Sequence, residues 1–124
     1  MFLAVAFVAV IGLLTLFQAA LALGAPWGRA AWGGQHAGVL PTGYRVGSAV
    51  SILVYGFIAV IALARADVVD VLPDGFAQVA MWVVFGFLAL GVVMNAISRS
   101  RVERAVMTPV ALVLAVLALL IALG

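Results

Sequence analysis

Residues Phe2–Gly24 read FLAVAFVAVIGLLTLFQAALALG, an apolar run without a single charged side chain. A helix that crosses a bilayer needs roughly 20 such residues. Three further runs of this kind follow, at Gly43–Arg65, Phe76–Ser98 and Arg101–Leu123. Their apolar character is continuous rather than alternating, which argues against the short strands of an outer-membrane barrel. We therefore predict an all-α fold, a single membrane domain over residues 1–124 in which four transmembrane helices form an antiparallel up-down bundle.

The overall composition indicates that lipid is the solvent of this chain. Hydrophobic residues make up 69% of it and charged residues only 8%, too few to give a water-soluble domain a polar exterior. No cysteine is present, which excludes disulfides, thiolate metal sites and cysteine nucleophiles. The six cationic side chains are all arginine, and the formal net charge is +2. We expect no cofactor, no metal and no nucleic-acid partner.

The first run ends in Ala20-Leu21-Ala22, which has the small-x-small pattern of a signal-peptide cleavage site. Two features argue against cleavage. No basic residue precedes the run, and the run is longer than the roughly 7–15 apolar residues of a typical signal core. We therefore expect this segment to be retained as the first helix.

Arginine is distributed unevenly between the two ends of the predicted bundle. The first and third loops, with the adjoining helix ends, carry Arg29, Arg45, Arg99, Arg101 and Arg104. The opposite end has only Arg65, and its second loop contains Asp67, Asp70 and Asp74. Because positively charged loops tend to stay in the cytoplasm, we predict that the first and third loops are cytoplasmic. Both termini would then lie outside a bacterial inner membrane.

The second loop closes with Pro73-Asp74-Gly75, a turn sequence in which Asp74 is expected to cap the third helix. Asp67 and Asp70 lie near the predicted headgroup region, where carboxylates are normally solvated. A cation site is the less favoured alternative there, because the spacing of the ligands is incomplete.

Ser100 and Glu103 have the spacing of a capping box at the start of the fourth helix. Glu103 is the only acid at this end, so a proton-carrying role is conceivable, but three neighbouring arginines favour a capping carboxylate. Pro109 lies about two turns further on, where it removes one helical hydrogen bond and frees the carbonyl of Ala105. We predict a tight hairpin followed by a kinked helix.

The first loop, residues 25–42, is rich in glycine and tryptophan. Its glycines allow it to fold back onto or into the mouth of the bundle. Trp27 and Trp32 suit the membrane interface, where an indole buries its ring and keeps its N–H hydrated, and a ligand platform is the alternative. His36 is the sole histidine, and we expect it to be solvated, although its chemistry also permits pH sensing.

Polar side chains gather at the same end as most of the arginines. They come from all four helices, and those of the second helix repeat at intervals of three and four along a stripe that continues to Tyr55. Two interpretations are open: hydrogen bonds between helices that only fix their packing, or the lining of a ligand cavity. The candidate cavity residues are Gln18, Tyr44, Ser48, Ser51, Asn95, Ser98 and Thr108.

Small residues recur every three to four positions on two of the predicted helices. They are Gly43, Gly47 and Ser51 on the second helix, and Ala111, Ala115, Ala118 and Ala122 on the fourth. Such faces permit close helix packing, either within the bundle or between two copies of the chain.

Short motifs are spread along the whole chain. They are Pro26-Trp27-Gly28, Trp32-Gly33-Gly34, Leu40-Pro41, the segment Asn95–Arg104 and Met107-Thr108-Pro109. Together they resemble a group of small, uncharacterised four-helix membrane proteins of bacteria, and the resemblance implies a membrane bundle without implying an activity. The small multidrug resistance transporters also have four helices, but they depend on a glutamate within the first helix. The first helix of this chain has no acid.

Two functions are compatible with these patterns. The favoured one is a non-enzymatic interaction or accessory module that binds anionic lipid headgroups or a membrane-protein partner through arginine and tryptophan side chains. The alternative is a binder or transporter of small molecules or lipids that uses the polar cavity, as a homodimer because one small bundle encloses little volume. An enzyme acting on lipid ranks third, since no helix carries an embedded group suited to proton relay. The candidate partner-binding residues are Trp27, Arg29, Trp32, His36, Arg45, Arg99, Arg101 and Arg104.

Overall fold

A computed structural model describes the whole chain, residues 1–124, and shows it to be all-helical. The four main helices are α1 (Phe2–Ala22), α2 (Thr42–Arg65), α3 (Asp74–Ala96) and α4 (Thr108–Leu123). A π-helical turn, Glu103–Met107, leads directly into α4. Counted with that turn, all four helices are long and apolar enough to cross a membrane, which confirms the prediction of an all-α chain with four such helices.

Each helix packs against two neighbours. Helix α1 lies against α2 and α4, and α3 lies against α4 and α2, whereas the diagonal pairs have little contact. Phe7, Met81 and Leu114 are fully buried in the main core, which draws chiefly on the N-terminal halves of α1 and α3 and the C-terminal halves of α2 and α4. The apolar core therefore lies towards one end of the bundle.

A smaller core forms beneath the first loop, at the other end of the bundle. Leu21 of α1 packs with Ala31 and Leu40 of the loop, and Phe17 and Tyr44 lie against them. These contacts anchor the loop on the helices, as its glycine content predicted.

The small residues of α2 and α4 are largely used inside the bundle. Ala115, Ala118 and Ala122 of α4 are buried. On α2, Gly47 lies against the indole of Trp32, whereas a Cβ at Gly43 would meet open space. These faces bring elements of a single chain together.

Two helix starts differ from the prediction. Asp74 does not cap α3, because Pro73 holds the cap position and Asp74 begins the helix without a side-chain capping bond. Its carboxylate still lies in the first turn, where the helix dipole favours negative charge. At the other hairpin the capping box forms only in part: the Glu103 N–H donates to Ser100 Oγ over 3.3 Å, but the Glu103 carboxylate bonds to the first loop instead.

The disruption expected from Pro109 takes the form of the π-helical turn just before it. Pro109 has no N–H to donate to Ala105, and its ring would crowd that carbonyl in a regular helix. Widening the preceding turn relieves both conflicts, and regular helix resumes at Thr108. The widened turn begins at Glu103, so the proline bears directly on where that side chain lies.

The ends of α2 and α4 meet at the side of the bundle away from the first loop. Arg65 Nη2 donates to the Ala122 carbonyl oxygen over 3.0 Å. The last carbonyls of a helix lack partners within it, and a cation there also suits the helix dipole. Arg65 therefore has a structural role at the end of α4.

Candidate ligand-binding cavity

A cavity of about 310 Å³ lies between the four helices beneath the first loop. Most of its lining is apolar. Aromatic side chains in the lining are Phe17, Trp32, Tyr55 and Phe87. The other polar or charged members are Gln18, Ser51, Asn95 and Glu103. An apolar hollow with a few convergent polar groups is the composition typical of small-molecule sites.

Three of the seven predicted cavity residues, Gln18, Ser51 and Asn95, line this space. They come from three different helices, so the convergence of polar groups at this end produces a cavity wall. Ser51 Oγ is already engaged, because it donates to the Gly47 carbonyl oxygen over 3.0 Å.

The other four predicted cavity residues lie outside the lining. Ser48 is completely buried and accepts a hydrogen bond from Trp32, while Ser98 Oγ accepts one from the Ser100 N–H over 3.2 Å. Thr108 Oγ1 is buried without a partner. Tyr44 supports the first loop. None of these four residues lines the cavity, and Ser48, Ser98 and Tyr44 bind or pack against the segments around it.

Gln18 has an unused hydrogen-bond acceptor. Its Oε1 is buried and has no partner within the chain. Leaving such an oxygen unsatisfied costs about 1–3 kcal/mol. If this amide only fixed helix packing, the oxygen would accept from a donor on a neighbouring helix. The Gln18 side chain lies in the cavity lining and makes no such bond to a neighbouring helix.

Trp32 is the aromatic side chain of the first loop that lines the cavity, and 38% of its surface is exposed. Its Nε1 donates to Ser48 Oγ over 3.2 Å, and its ring meets the Tyr44 ring edge-on with centroids 5.5 Å apart. A Cβ at Gly47 would come within 2.9 Å of the indole. The indole thus forms a wall of the cavity, whereas Trp27 is 52% exposed and stacks on Phe17 outside it.

The backbone at this point is held in an unusual conformation. Trp32, Gly33 and Gly34 have φ angles of 53°, 75° and 71°. Glycine adopts this left-handed region freely, but a residue as bulky as tryptophan is strained there by on the order of 1–3 kcal/mol. The turn therefore depends on the contacts around it, as the backbones of ligand clamps often do.

Glu103 fastens this turn to the start of α4. Its Oε2 accepts the Gly33 N–H over 3.1 Å, and the residue is only 4% exposed. The capping role predicted for its carboxylate is wrong, because Ser100 N–H is bonded to Ser98 Oγ instead. The side chain lines the cavity and joins two segments that are 70 residues apart in the chain.

The arginines at this end lie outside the cavity. Arg45 Nε donates to the Ala22 carbonyl oxygen over 3.0 Å, and Arg104 Nη1 donates to the Ser98 carbonyl oxygen over 2.6 Å. Arg29, Arg99 and Arg101 are exposed. Glu103 is consequently the one charged side chain in the lining, and the five arginines at this end of the bundle lie outside the lining.

His36 belongs to the outer layer of the loop. Its ring lies 5.1 Å from that of Tyr44, whose hydroxyl donates to Gln35 Oε1 over 3.4 Å. No group of three His, Asp or Glu side chains comes together anywhere in the chain as a metal site would require.

Sequence reasoning did not include Glu103 or Tyr55 among the cavity residues. Tyr55 lies one turn beyond Ser51 on the same stripe of α2, so periodicity could have found it. Glu103 had a weaker signal, namely a proline six positions further along the helix. Placing Glu103 required the path of the first loop, which no local pattern predicts.

No protein-family model matches this chain, and no curated protein or solved structure matches it either. The case for a function therefore rests on the geometry of the cavity.

Proposed function

We propose that this protein is a non-enzymatic membrane protein that binds a small amphipathic molecule in the cavity beneath the first loop. The observation that carries the proposal is the cavity itself, whose lining is mostly apolar and includes Gln18, an amide with no hydrogen-bond partner for its Oε1 in the chain. The volume of about 310 Å³ falls within the range of small-molecule pockets, roughly 300–1,000 Å³. A ligand with an apolar body and one donor group suits such a lining.

The proposed setting is a bacterial inner membrane crossed by four helices in antiparallel up-down order. The contact between the ends of α2 and α4, through Arg65 and Ala122, supports this order, because alternate helices of such a bundle run in the same direction. The arginine excess supports a cytoplasmic location for the first and third loops. The cavity would then open towards the cytoplasm.

For a single copy of the chain, ligand binding is the favoured function and transport is not. A transporter must also open its site to the other side of the membrane, and the main core fills that end of the bundle. Transport would require a second copy that rearranges the helices, so a homodimer is the form in which we would look for it.

The direct test uses 4-phenylbutan-1-ol, which has an apolar body and one hydroxyl donor, with the purified protein in lipid nanodiscs. Gln18→Leu should weaken binding about tenfold, because the variant removes the free acceptor. The fold should persist, since no hydrogen bond of that oxygen is lost. Gln78→Leu is the matched control, because Gln78 is an exposed amide near the start of α3. Binding no stronger than to empty nanodiscs would refute the proposal.

A second candidate function is supported by a separate observation. Arg29, Arg99 and Arg101 are exposed and donate no hydrogen bond within the chain, so they are free to bind anionic headgroups or a membrane-protein partner. Each is expected to contribute about 1 kcal/mol of attraction to an anionic leaflet.

Replacing these three arginines by glutamine should abolish the salt-sensitive retention of phosphatidylglycerol during native mass spectrometry. Phosphatidylcholine is the neutral comparison, and its retention should not change. Equal retention of phosphatidylglycerol by the variant and the natural chain would exclude this arginine face as a lipid site.

A further inference from the structure

The cavity has a pronounced electrostatic asymmetry. Its single charged lining residue, Glu103, is 4% exposed, while no arginine reaches the lining. The carboxylate accepts hydrogen bonds from the Gly33 N–H and from the Ser98 side chain, and it has no cationic partner in the lining. A carboxylate has about four lone-pair sites. An isolated buried carboxylate is strongly disfavoured, and a cation bound beside it would remove much of that penalty.

A second polar group of the lining is the Gln18 amide. Its Oε1 is buried and has no hydrogen-bond partner in the chain, and the Trp32 N–H is donated to Ser48. Asn95 and Tyr55 also belong to the lining, and their side chains can donate as well as accept. The sign of the charge that suits the cavity is therefore set by Glu103, the one charged group in the lining.

The remaining surface suits the body of an organic cation. Phe17, Trp32, Tyr55 and Phe87 contribute to the lining. The face of an aromatic ring carries partial negative charge, so it attracts a positive group while it covers apolar surface. Inorganic cations are poorly served, because they require several oxygen ligands and this lining offers few.

We infer that the cavity is a site for an organic ammonium ion, whose charged group is bound by Glu103 and whose apolar body lies among the aromatic side chains. The inference rests on the proposed function and specifies the class of its ligand. A neutral lipid or alcohol would use the apolar surface and Gln18 but would leave the charge of Glu103 uncompensated.

The experiment compares two probes of the same length on the full chain in nanodiscs. 4-Phenylbutylammonium carries a positive charge at pH 7, since alkylamines titrate near pH 10. 4-Phenylbutan-1-ol is neutral and also donates. The natural protein should bind the ammonium at least about tenfold more tightly than the alcohol, after subtraction of partitioning into empty nanodiscs.

The decisive variant is Glu103→Gln, whose amide oxygen can still accept the Gly33 N–H. It should lower ammonium affinity about tenfold, to that of the alcohol, and leave alcohol binding within about twofold. If this variant fails to fold, the comparison of the two probes on the natural protein still tests the inference. Equal binding of both probes, or an unchanged ammonium preference in the variant, overturns the inference while the cavity remains a binding site. Failure of both probes to bind overturns the proposed function itself.

Discussion

Gly34 shows how closely the first loop packs against the third loop, which connects α3 and α4. Its φ of +71° is one that side chains rarely adopt, and a Cβ there would collide with Ser100. The same loop contains Gly38, which has open space around it and a φ outside the left-handed region. The two glycines thus provide a comparison within a single loop.

Gly34→Ala should lower the free energy of unfolding by more than 1 kcal/mol, through backbone strain and loss of the Gly33–Glu103 contact. Gly38→Ala should have almost no effect or stabilise slightly, because alanine restricts the unfolded chain. Thermal unfolding of both variants in one detergent measures the difference. Equal stability would mean that the turn is not held against Ser100.

At the scale of the element, the π-helical turn Glu103–Met107 links a helical irregularity to the cavity. Pro109 prevents a regular hydrogen bond to Ala105, and the widened turn that results carries Glu103 at its first position. Such widened turns often occur at functional sites. Here the turn supports both the cavity wall and the attachment of the first loop.

Pro109→Ala should restore the missing hydrogen bond and allow a regular helix to form, which would rotate Glu103 away from Gly33. We expect a more stable helix but faster hydrogen exchange in the first loop, most clearly at the Gly33 amide. Pro73→Ala, in the second loop, is the control and should leave that exchange unchanged. If hydrogen exchange at the Gly33 amide is unchanged in Pro109→Ala, the proline does not determine the position of Glu103.

At the scale of the whole molecule, apolar packing and polar contacts are divided between the two ends of the bundle. The main core draws on the end that contains Phe7 and Met81, whereas the first loop, Glu103 and the arginines gather at the other. The cavity lies at the end with the smaller core, where Ala30, Ala31 and Trp32 of the first loop complete its lining. The cavity and most of the arginines therefore lie at the same end of the bundle.

The proposed orientation can be tested with single cysteines, since the chain has none. Ala37 in the first loop and Asp70 in the second are both exposed, so a thiol at either position can react. A membrane-impermeant maleimide applied to intact cells should label Asp70→Cys and not Ala37→Cys, and permeabilised cells should label both. The reverse pattern would place the cavity mouth outside the cell.

The number and position of the helices follow from the sequence alone, because hydropathy and length are local properties that add along the chain. The same local chemistry predicted the fold-back loop, the disturbance caused by Pro109 and the polar end with Gln18, Ser51 and Asn95. The role of Glu103 did not follow from its neighbours. A capping box involves two residues that are three positions apart, whereas Gly33, the partner that the Glu103 carboxylate binds, lies in another loop.

Only the tertiary structure could decide between packing and a cavity for the polar side chains. That question depends on which donors reach Gln18 Oε1, and the answer is set by the distances between four helices and the path of the first loop. It also depends on the arginines, which are close in sequence to Glu103 yet bind backbone carbonyls or remain exposed. The length and apolar character of the helices are thus additive properties of the sequence, whereas the surroundings of Glu103 and Gln18 arise where distant segments converge.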